Sequence, residues 1–92
     1  MAHVRVPGVW RHVTNDIEVV PVKGETVKDA LIDLVTVYPV LHDRLFLKGD
    51  YNSPNKHVIV CLNDADIRFA GGLQQPLADG DMISLVPAFA GG

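Results

Sequence analysis

The chain has one strong helix signal, and this signal limits the fold to strands packed on a single main helix. Thr26 is a natural N-cap, and Asp29 stands at the capping-box position three residues later. From Val27 to Tyr38, apolar residues recur at helical spacing along one stripe, and Pro39 ends the pattern. A helix of about twelve residues is ~18 Å long. It can therefore cover one face of one small sheet.

Five segments with strand patterns surround this helix, two before it and three after it. They cover residues 3–6, 17–22, 58–62, 66–69 and 82–86. Leu41, Leu45 and Phe46 are expected to form a second, shorter helical turn that closes the core, and alternation predicts that Ile67 and Phe69 are buried. This order predicts a two-layer α+β domain whose sheet leaves its other face open to solvent.

Composition and charge exclude several classes of protein. With 92 residues, of which 48% are hydrophobic and 21% charged, the chain is expected to form one globular domain. Eight basic against eleven acidic side chains argue against nucleic-acid binding. A single cysteine, Cys61, excludes an internal disulfide and a cysteine-rich metal site. Since neither a signal peptide nor an apolar run of about 20 residues is seen, no membrane role and a cytoplasmic location are expected.

The last five residues, 88–92, are predicted to form a flexible tail that follows a domain of residues 1–87. Pro87 cannot donate a ladder hydrogen bond, so regular structure should end there. The tail ends in Gly91-Gly92. Without a Cβ on either residue, this backbone can enter a tunnel too narrow for a side chain. A truncated or frayed terminus would have the same appearance, so the preceding residues must decide.

A series of short motifs runs from the middle of the chain to its end. They are Asn63-Asp64-Ala65-Asp66-Ile67-Arg68-Phe69, Gly72-Leu73, Leu77, Asp79-Gly80-Asp81, Leu85-Val86-Pro87 and Ala90-Gly91-Gly92. Upstream, Val6-Pro7 with Arg11, the helix entry Gly24-Glu25-Thr26-Val27 and the helix residues Leu31, Leu34 and Tyr38-Pro39 also fit. In this order the motifs resemble the MoaD/ThiS family of ubiquitin-like sulfur carriers, most closely the type that supplies sulfur for cysteine synthesis.

The resemblance implies a β-grasp fold with strand order 2-1-5-3-4, in which the first and last strands are parallel at the centre. It also implies that the chain is a carrier and not an enzyme, with no bound cofactor or metal. A partner related to the ubiquitin-activating enzymes would use ATP to adenylate the Gly92 carboxylate. A sulfur donor would then convert it to a thiocarboxylate, which would donate sulfur in the active site of a biosynthetic enzyme.

The open face of the sheet is the expected docking surface for these partners. An apolar patch rimmed by charge on a small protein commonly marks a partner site. The predicted contact residues are Ile59, Cys61, Arg68, Met82 and Val86 on the domain, with Phe89 and Ala90 in the tail. Cys61 itself is expected to be an unreactive thiol, because no basic neighbour in sequence lowers its pKa. Trp10 could belong to the core or to a contact surface.

Three other functions fit the same sequence. The chain could be a protein modifier that is joined through Gly92 to a lysine amine, as ubiquitin is. It could also be the small subunit of a molybdopterin synthase, or a ubiquitin-like interaction module whose tail is never activated. The chain itself is expected to be a monomer alone and a heteromer with its partners.

Overall fold

The computed structural model describes residues 1–87, so the tail predicted for residues 88–92 lies outside the described residues. The helices and strands are β1 (Ala2–Arg5), β2 (Val19–Val22), α1 (Val27–Val37), α2 (His42–Leu45), β3 (Val58–Leu62), β4 (Ala65–Asp66) and β5 (Met82–Pro87). Short 3-10 turns cover Gly8–Trp10, Pro39–Leu41, Leu47–Gly49, Ile67–Phe69 and Gly72–Gln74. Within residues 1–87, no helix is long and apolar enough to cross a membrane.

The five strands form one mixed sheet in the order β2-β1-β5-β3-β4. The first and last strands, β1 and β5, are parallel neighbours at its centre, with His3 opposite Met82. The other three strand pairs are antiparallel. This arrangement confirms the predicted β-grasp order, in which strands from the two ends of the chain are joined side by side.

Helix α1 forms where the sequence predicts it. The Thr26 hydroxyl oxygen accepts a hydrogen bond from the Asp29 backbone N–H at 3.2 Å, which caps the first turn. The apolar stripe packs on the sheet, and the predicted second turn is confirmed at Pro39–Leu41 and α2, where Leu41, Leu45 and Phe46 are all buried. The core is made by the buried apolar residues Ala2, Val4, Val6, Trp10, Val20, Val22, Val27, Ala30, Leu31, Leu34, Val35, Leu41, Leu45, Phe46, Val60, Leu62, Ile67, Ile83 and Leu85.

The strand predicted over residues 66–69 is wrong beyond its first residue. Strand β4 ends at Asp66, whose carboxylate accepts a hydrogen bond from the Arg68 backbone N–H at 2.9 Å. This local bond favours a 3-10 turn over a continued strand. Ile67 is buried as predicted, but the Phe69 side chain is 84% exposed. The expectation that both residues face the core was therefore wrong for Phe69.

Two smaller differences concern the first loop. Strand β2 begins at Val19 and not at residue 17, because Asn15 and Asp16 turn the chain with positive φ angles of 54° and 66° and the Ile17 N–H donates to the Thr14 carbonyl oxygen at 3.1 Å. The Thr14 hydroxyl donates to the Ile17 carbonyl oxygen at 2.8 Å and stabilises this turn. Trp10, which the sequence left undecided, is buried in the core at the Gly8–Trp10 turn.

Candidate docking face and tail root

The alternation of side chains along β3 and β5 produces an open face on the side of the sheet opposite α1. Residues such as Val60 and Ile83 point inward and are buried, whereas their sequence neighbours are half-buried or exposed. We call this open part of the sheet the outer face; it comprises Ile59, Cys61, Met82, Ser84 and Val86. The structure therefore places four of the predicted contact residues, Ile59, Cys61, Met82 and Val86, on a single surface.

The strand register brings the apolar members of the outer face into contact range. Ile59 of β3 is directly opposite Val86 of β5, and Cys61 is opposite Ser84. Directly opposed residues on one face of an antiparallel pair have Cβ atoms about 4.5–5.5 Å apart. Val86 is 45% exposed. Ile59 and Val86 thus form a continuous apolar spot at the end of the outer face that is nearest to Pro87.

Charged side chains lie on the β1–β2 side of the outer face. Arg5 is the β1 neighbour of Ser84. The Glu18 carboxylate lies 3.5 Å from the Arg11 guanidinium and 4.0 Å from the Arg5 Nε. These side chains are largely exposed, so the ion pairs contribute little to stability. Their consequence is a charged border along one side of the apolar surface.

The opposite border contains Arg68, the fifth predicted contact residue on the domain. Its guanidinium donates to both carboxylate oxygens of Asp66, with the shortest distance, 2.7 Å, between Nη2 and Oδ2. These hydrogen bonds hold the pKa of Asp66 below its usual value and raise the pKa of Arg68. The Arg68 guanidinium carbon also lies 5.5 Å from the centre of the Phe69 ring. An exposed arginine and an exposed aromatic ring therefore stand together at this border.

Phe69 was missed as a surface residue because strict strand alternation places it with Ile67. A signal was available in the sequence, since an aspartate such as Asp66 often caps a turn through the backbone two residues later. Aromatic residues and arginine are the residue types enriched at protein interfaces. We therefore add Phe69 to the candidate contact residues of the domain.

Cys61 lies between these borders on the outer face. Burial raises the pKa of its thiol, and the carboxylates of Asp66 and Asp64 raise it further, while the positive charge of Arg68 has the opposite effect. A protonated thiol is a poor nucleophile and a poor metal ligand. In residues 1–87, no cluster of three or more histidine, cysteine or acidic side chains could hold a metal ion. Cys61 therefore contributes to the outer face as a contact residue and not as a reactive thiolate.

The tail root is the end of β5, at Pro87. Pro87 pairs with Val58 at the beginning of β3, immediately beside the Ile59–Val86 pair. The apolar end of the outer face therefore adjoins the point from which residues 88–92 continue. The predicted functional residues Phe89, Ala90, Gly91 and Gly92 lie outside the part of the chain that the structure describes.

Comparison with known proteins places this architecture in a family. The model of the ThiS family matches residues 4–92, which is almost the whole chain. The chain belongs to the ThiS family. Relatives of this ThiS-family chain include the sulfur carrier protein CysO of Mycobacterium bovis and of Mycobacterium tuberculosis, both 37% identical over 89 residues. The alignment covers 97% of this chain and 96% of each relative.

Solved structures match the ThiS-family chain equally completely. CysO in the Amycolatopsis orientalis BexX/CysO complex has a TM-score of 0.86 and 32% identity, and the match covers 100% of both chains. M. tuberculosis CysO has a TM-score of 0.86 and 30% identity over 97% of this chain and 100% of that chain. The small archaeal modifier protein 1 of Methanosarcina acetivorans also has a TM-score of 0.86, with 30% identity over 99% of this chain and 95% of that one.

Proposed function

We propose that this ThiS-family chain is a sulfur carrier protein whose working group is the carboxylate of Gly92. The observation that carries the proposal is the 37% identity to CysO sulfur carriers over nearly the full length of both chains. The diglycine Gly91-Gly92, which we predict to be the functional end of the chain, lies within the region that the family model matches. The domain of residues 1–87 would act as the body by which partner enzymes hold the carrier, and residues 88–92 as the tail that they process.

The proposed chemistry requires activation because a carboxylate is a poor electrophile. The Gly92 carboxylate would attack the α-phosphorus of ATP in the active site of an adenylating partner, forming an acyl adenylate and releasing pyrophosphate. Sulfide or an equivalent sulfur nucleophile would then attack the carbonyl carbon and expel AMP. The resulting thiocarboxylate would be the sulfur donor in a second enzyme. The carrier supplies neither acid nor base to these steps, so it acts as a macromolecular group carrier and not as an enzyme.

The outer face is the part of the body that we propose as the docking surface. Ordering a five-residue tail costs about 5–10 kcal/mol at 1–2 kcal/mol per residue. Small residues such as Ala90, Gly91 and Gly92 offer little contact area to offset this cost. The contacts that the domain of residues 1–87 makes with the partner must therefore offset it. Ile59 and Val86 adjoin Pro87, and a partner that buries them would therefore receive the tail directly beside the interface.

The test of the carrier function is the intact mass of the chain after incubation with an adenylating enzyme of a ThiS-family carrier, ATP and sulfide. We expect a mass increase that corresponds to one oxygen replaced by one sulfur, and we expect a chain lacking Gly92 to show none. The control is a carrier on which the same enzyme is known to act. If that control gains sulfur and this chain does not, the carrier function is refuted. A lysine-linked adduct in its place would indicate a protein modifier.

The docking surface is tested by Val86→Asp, with Val37→Asp as the matched control. Val37 is 60% exposed at the end of α1, on the other layer of the domain. A fully buried valine contributes about 1.5–3 kcal/mol, and an unpaired carboxylate resists burial. We therefore expect Val86→Asp to weaken binding to the adenylating enzyme about tenfold or more, measured by calorimetry, and Val37→Asp to leave it unchanged. Equal affinities of the two variants would place the docking surface elsewhere.

A further inference from the structure

Strand β3 has a free edge on the side away from β5. The hairpin to β4 pairs only Leu62 with Ala65 and Cys61 with Asp66. The chain then leaves the sheet in the Ile67–Phe69 turn. Over Val58–Val60, β3 therefore has no strand partner on this side among residues 1–87. Free edges of this kind are templates for pairing with another strand.

The antiparallel ladder shows which backbone groups this edge presents. The Asn63 N–H donates to the Met82 carbonyl oxygen at 2.8 Å, and hydrogen-bonded pairs recur at every second residue, at Cys61 and at Ile59. Val60 lies between them, so its N–H and C=O point away from β5. The C=O is the acceptor that the Cys61–Asp66 bridge requires for the Ile67 N–H, and the Val60 N–H faces the free edge. The C=O of Val58 points the same way, while its N–H donates to the Asn55 carbonyl at 3.2 Å. The Val60 N–H and the Val58 C=O are thus positioned to bond an added strand.

A groove of about 300 Å³ runs beside these groups. Among residues 1–87, its apolar lining comes from Pro54, Val58, Val60 and Ile67, and its charged lining residues are Lys56 and Arg68. Both are basic, although the whole chain carries a net charge of −3. The Lys56 ammonium is exposed and has no hydrogen-bond or ion-pair partner among the described residues. Arg68 uses Nε and Nη2 on Asp66, which leaves its Nη1 donors for another acceptor.

We propose that this β3 edge groove binds an extended acidic segment of a partner protein, which adds to the sheet as a strand beside Val60. Main-chain hydrogen bonds provide affinity in this mode of recognition, and pockets for alternate side chains provide specificity. Here the apolar lining accepts one set of side chains, and Lys56 and Arg68 pair with carboxylates. The groove contains none of the five outer-face residues, although it shares Arg68 with their border, and binding there requires no reaction at Gly92.

The groove also lies close to the tail root. Val58, which lines it, is paired with Pro87 on its other side. A segment bound along the β3 edge is therefore separated by one strand from β5 and from the start of the tail. A partner that holds this edge and the outer face together would grip the domain on two surfaces and fix the direction in which the tail leaves it.

The test is an NMR titration of the full ¹⁵N-labelled chain with a capped pentapeptide of alternating glutamate and valine. We expect shifts at Val58, Val60 and Arg68, and hydrogen exchange of the Val60 amide slowed about tenfold or more, since that amide becomes bonded. A matched peptide with lysine in place of glutamate should bind at least fivefold more weakly. Absence of shifts at millimolar acidic peptide, or shifts centred on Ile59 and Val86, would overturn the proposal. So would a dimer of the chain formed through this edge without peptide.

Two variants separate backbone pairing from charge. Val60→Pro removes the N–H that faces the groove while leaving the β5 ladder bonds at Ile59 and Cys61, and it should abolish binding. Lys56→Glu should weaken binding about fivefold, whereas Lys23→Glu, with the same charge change at the far end of the sheet, should not. If Val60→Pro does not fold, the two lysine variants still decide the matter. Equal affinities of the two lysine variants would refute recognition of an acidic segment.

Discussion

Gly24 joins β2 to α1, and its surroundings lead to a large predicted effect of a single added methyl group. Its φ angle is +156°, a conformation that residues with a side chain rarely adopt. A Cβ built there would lie 2.7 Å from the Ala30 backbone nitrogen and 2.7 Å from the Asp29 Cβ. Since both neighbours belong to the first turn of α1, neither can rotate away. The Gly24→Ala substitution must therefore displace the helix from the strand that precedes it.

The expected loss of stability is a substantial part of the total. A strained backbone costs about 1–3 kcal/mol, and overpacking a well-filled site costs about 1–3 kcal/mol more. The sum is about 2–6 kcal/mol, against a total of roughly 5–14 kcal/mol for a chain of this size. We therefore expect the midpoint of thermal unfolding to fall by about 10 °C or more, because the helix and the sheet can no longer approach as closely.

The control is Gly8→Ala, and the assay is urea unfolding followed by the fluorescence of Trp10. A Cβ at Gly8 would have no atom within 4 Å, and the φ angle there is not positive, so this substitution should change the free energy of unfolding by less than about 1 kcal/mol. Trp10 is the single tryptophan and is only 9% exposed in the folded state. If the free energies of unfolding of the two variants differ by less than about 1 kcal/mol, Gly24 does not approach the first turn of α1 as closely as the structure shows.

Three further predictions concern the tail and the outer face. Gly91→Ala should retain wild-type stability in urea but gain no sulfur in the intact-mass assay, and normal sulfur gain would refute the narrow tunnel. Asp66→Asn should lower the pKa of Cys61 and speed its alkylation by iodoacetamide at pH 8, whereas Arg68→Ala should slow it; equal rates would exclude this electrostatic coupling. Because the pKa of Asp66 is lowered in the folded state, its carboxylate stabilises the fold fully above the usual aspartate pKa of about 3.9 and less as pH falls through the lowered value. The difference in free energy of unfolding between wild type and Asp66→Asn should therefore shrink as the pH falls below about 3.9. A difference that does not change with pH would contradict a lowered pKa of Asp66.

The parts of the fold that could be predicted from sequence are those fixed by local signals of more than one kind. Helix α1 has a cap at Thr26, a regular apolar stripe and a proline stop, and these agree with each other. The outer face follows from the alternation of β3 and β5, so Ile59 and Val86 were placed correctly from the sequence alone. Their role in docking stays a prediction.

The parts that could not be predicted depend on competition between nearly equal local structures. Residues 66–69 alternate like a strand, but the Asp66 carboxylate bonds to the backbone two residues later and bends the chain into a turn. The exposed Phe69 follows from that one hydrogen bond. The free edge of β3 follows from it as well, since a longer β4 would have covered Val60. The alternating pattern of the sequence does not show which of two structures is more stable, a turn held by one side-chain hydrogen bond or a strand with further pairing.

The parallel pairing of β1 with β5 has a consequence for the order in which the chain is made and folded. β5 is the middle strand of the sheet, yet it is the last of the five strands to be synthesised, and it pairs with the first, where His3 stands opposite Met82. A chain released before Pro87 would lack the centre of its core and would be a substrate for degradation. Since Gly91-Gly92 follows so soon after Pro87, a chain that can fold has been translated almost to the diglycine. Chains that stop before the end of β5 are therefore expected to be degraded before they can act as carriers.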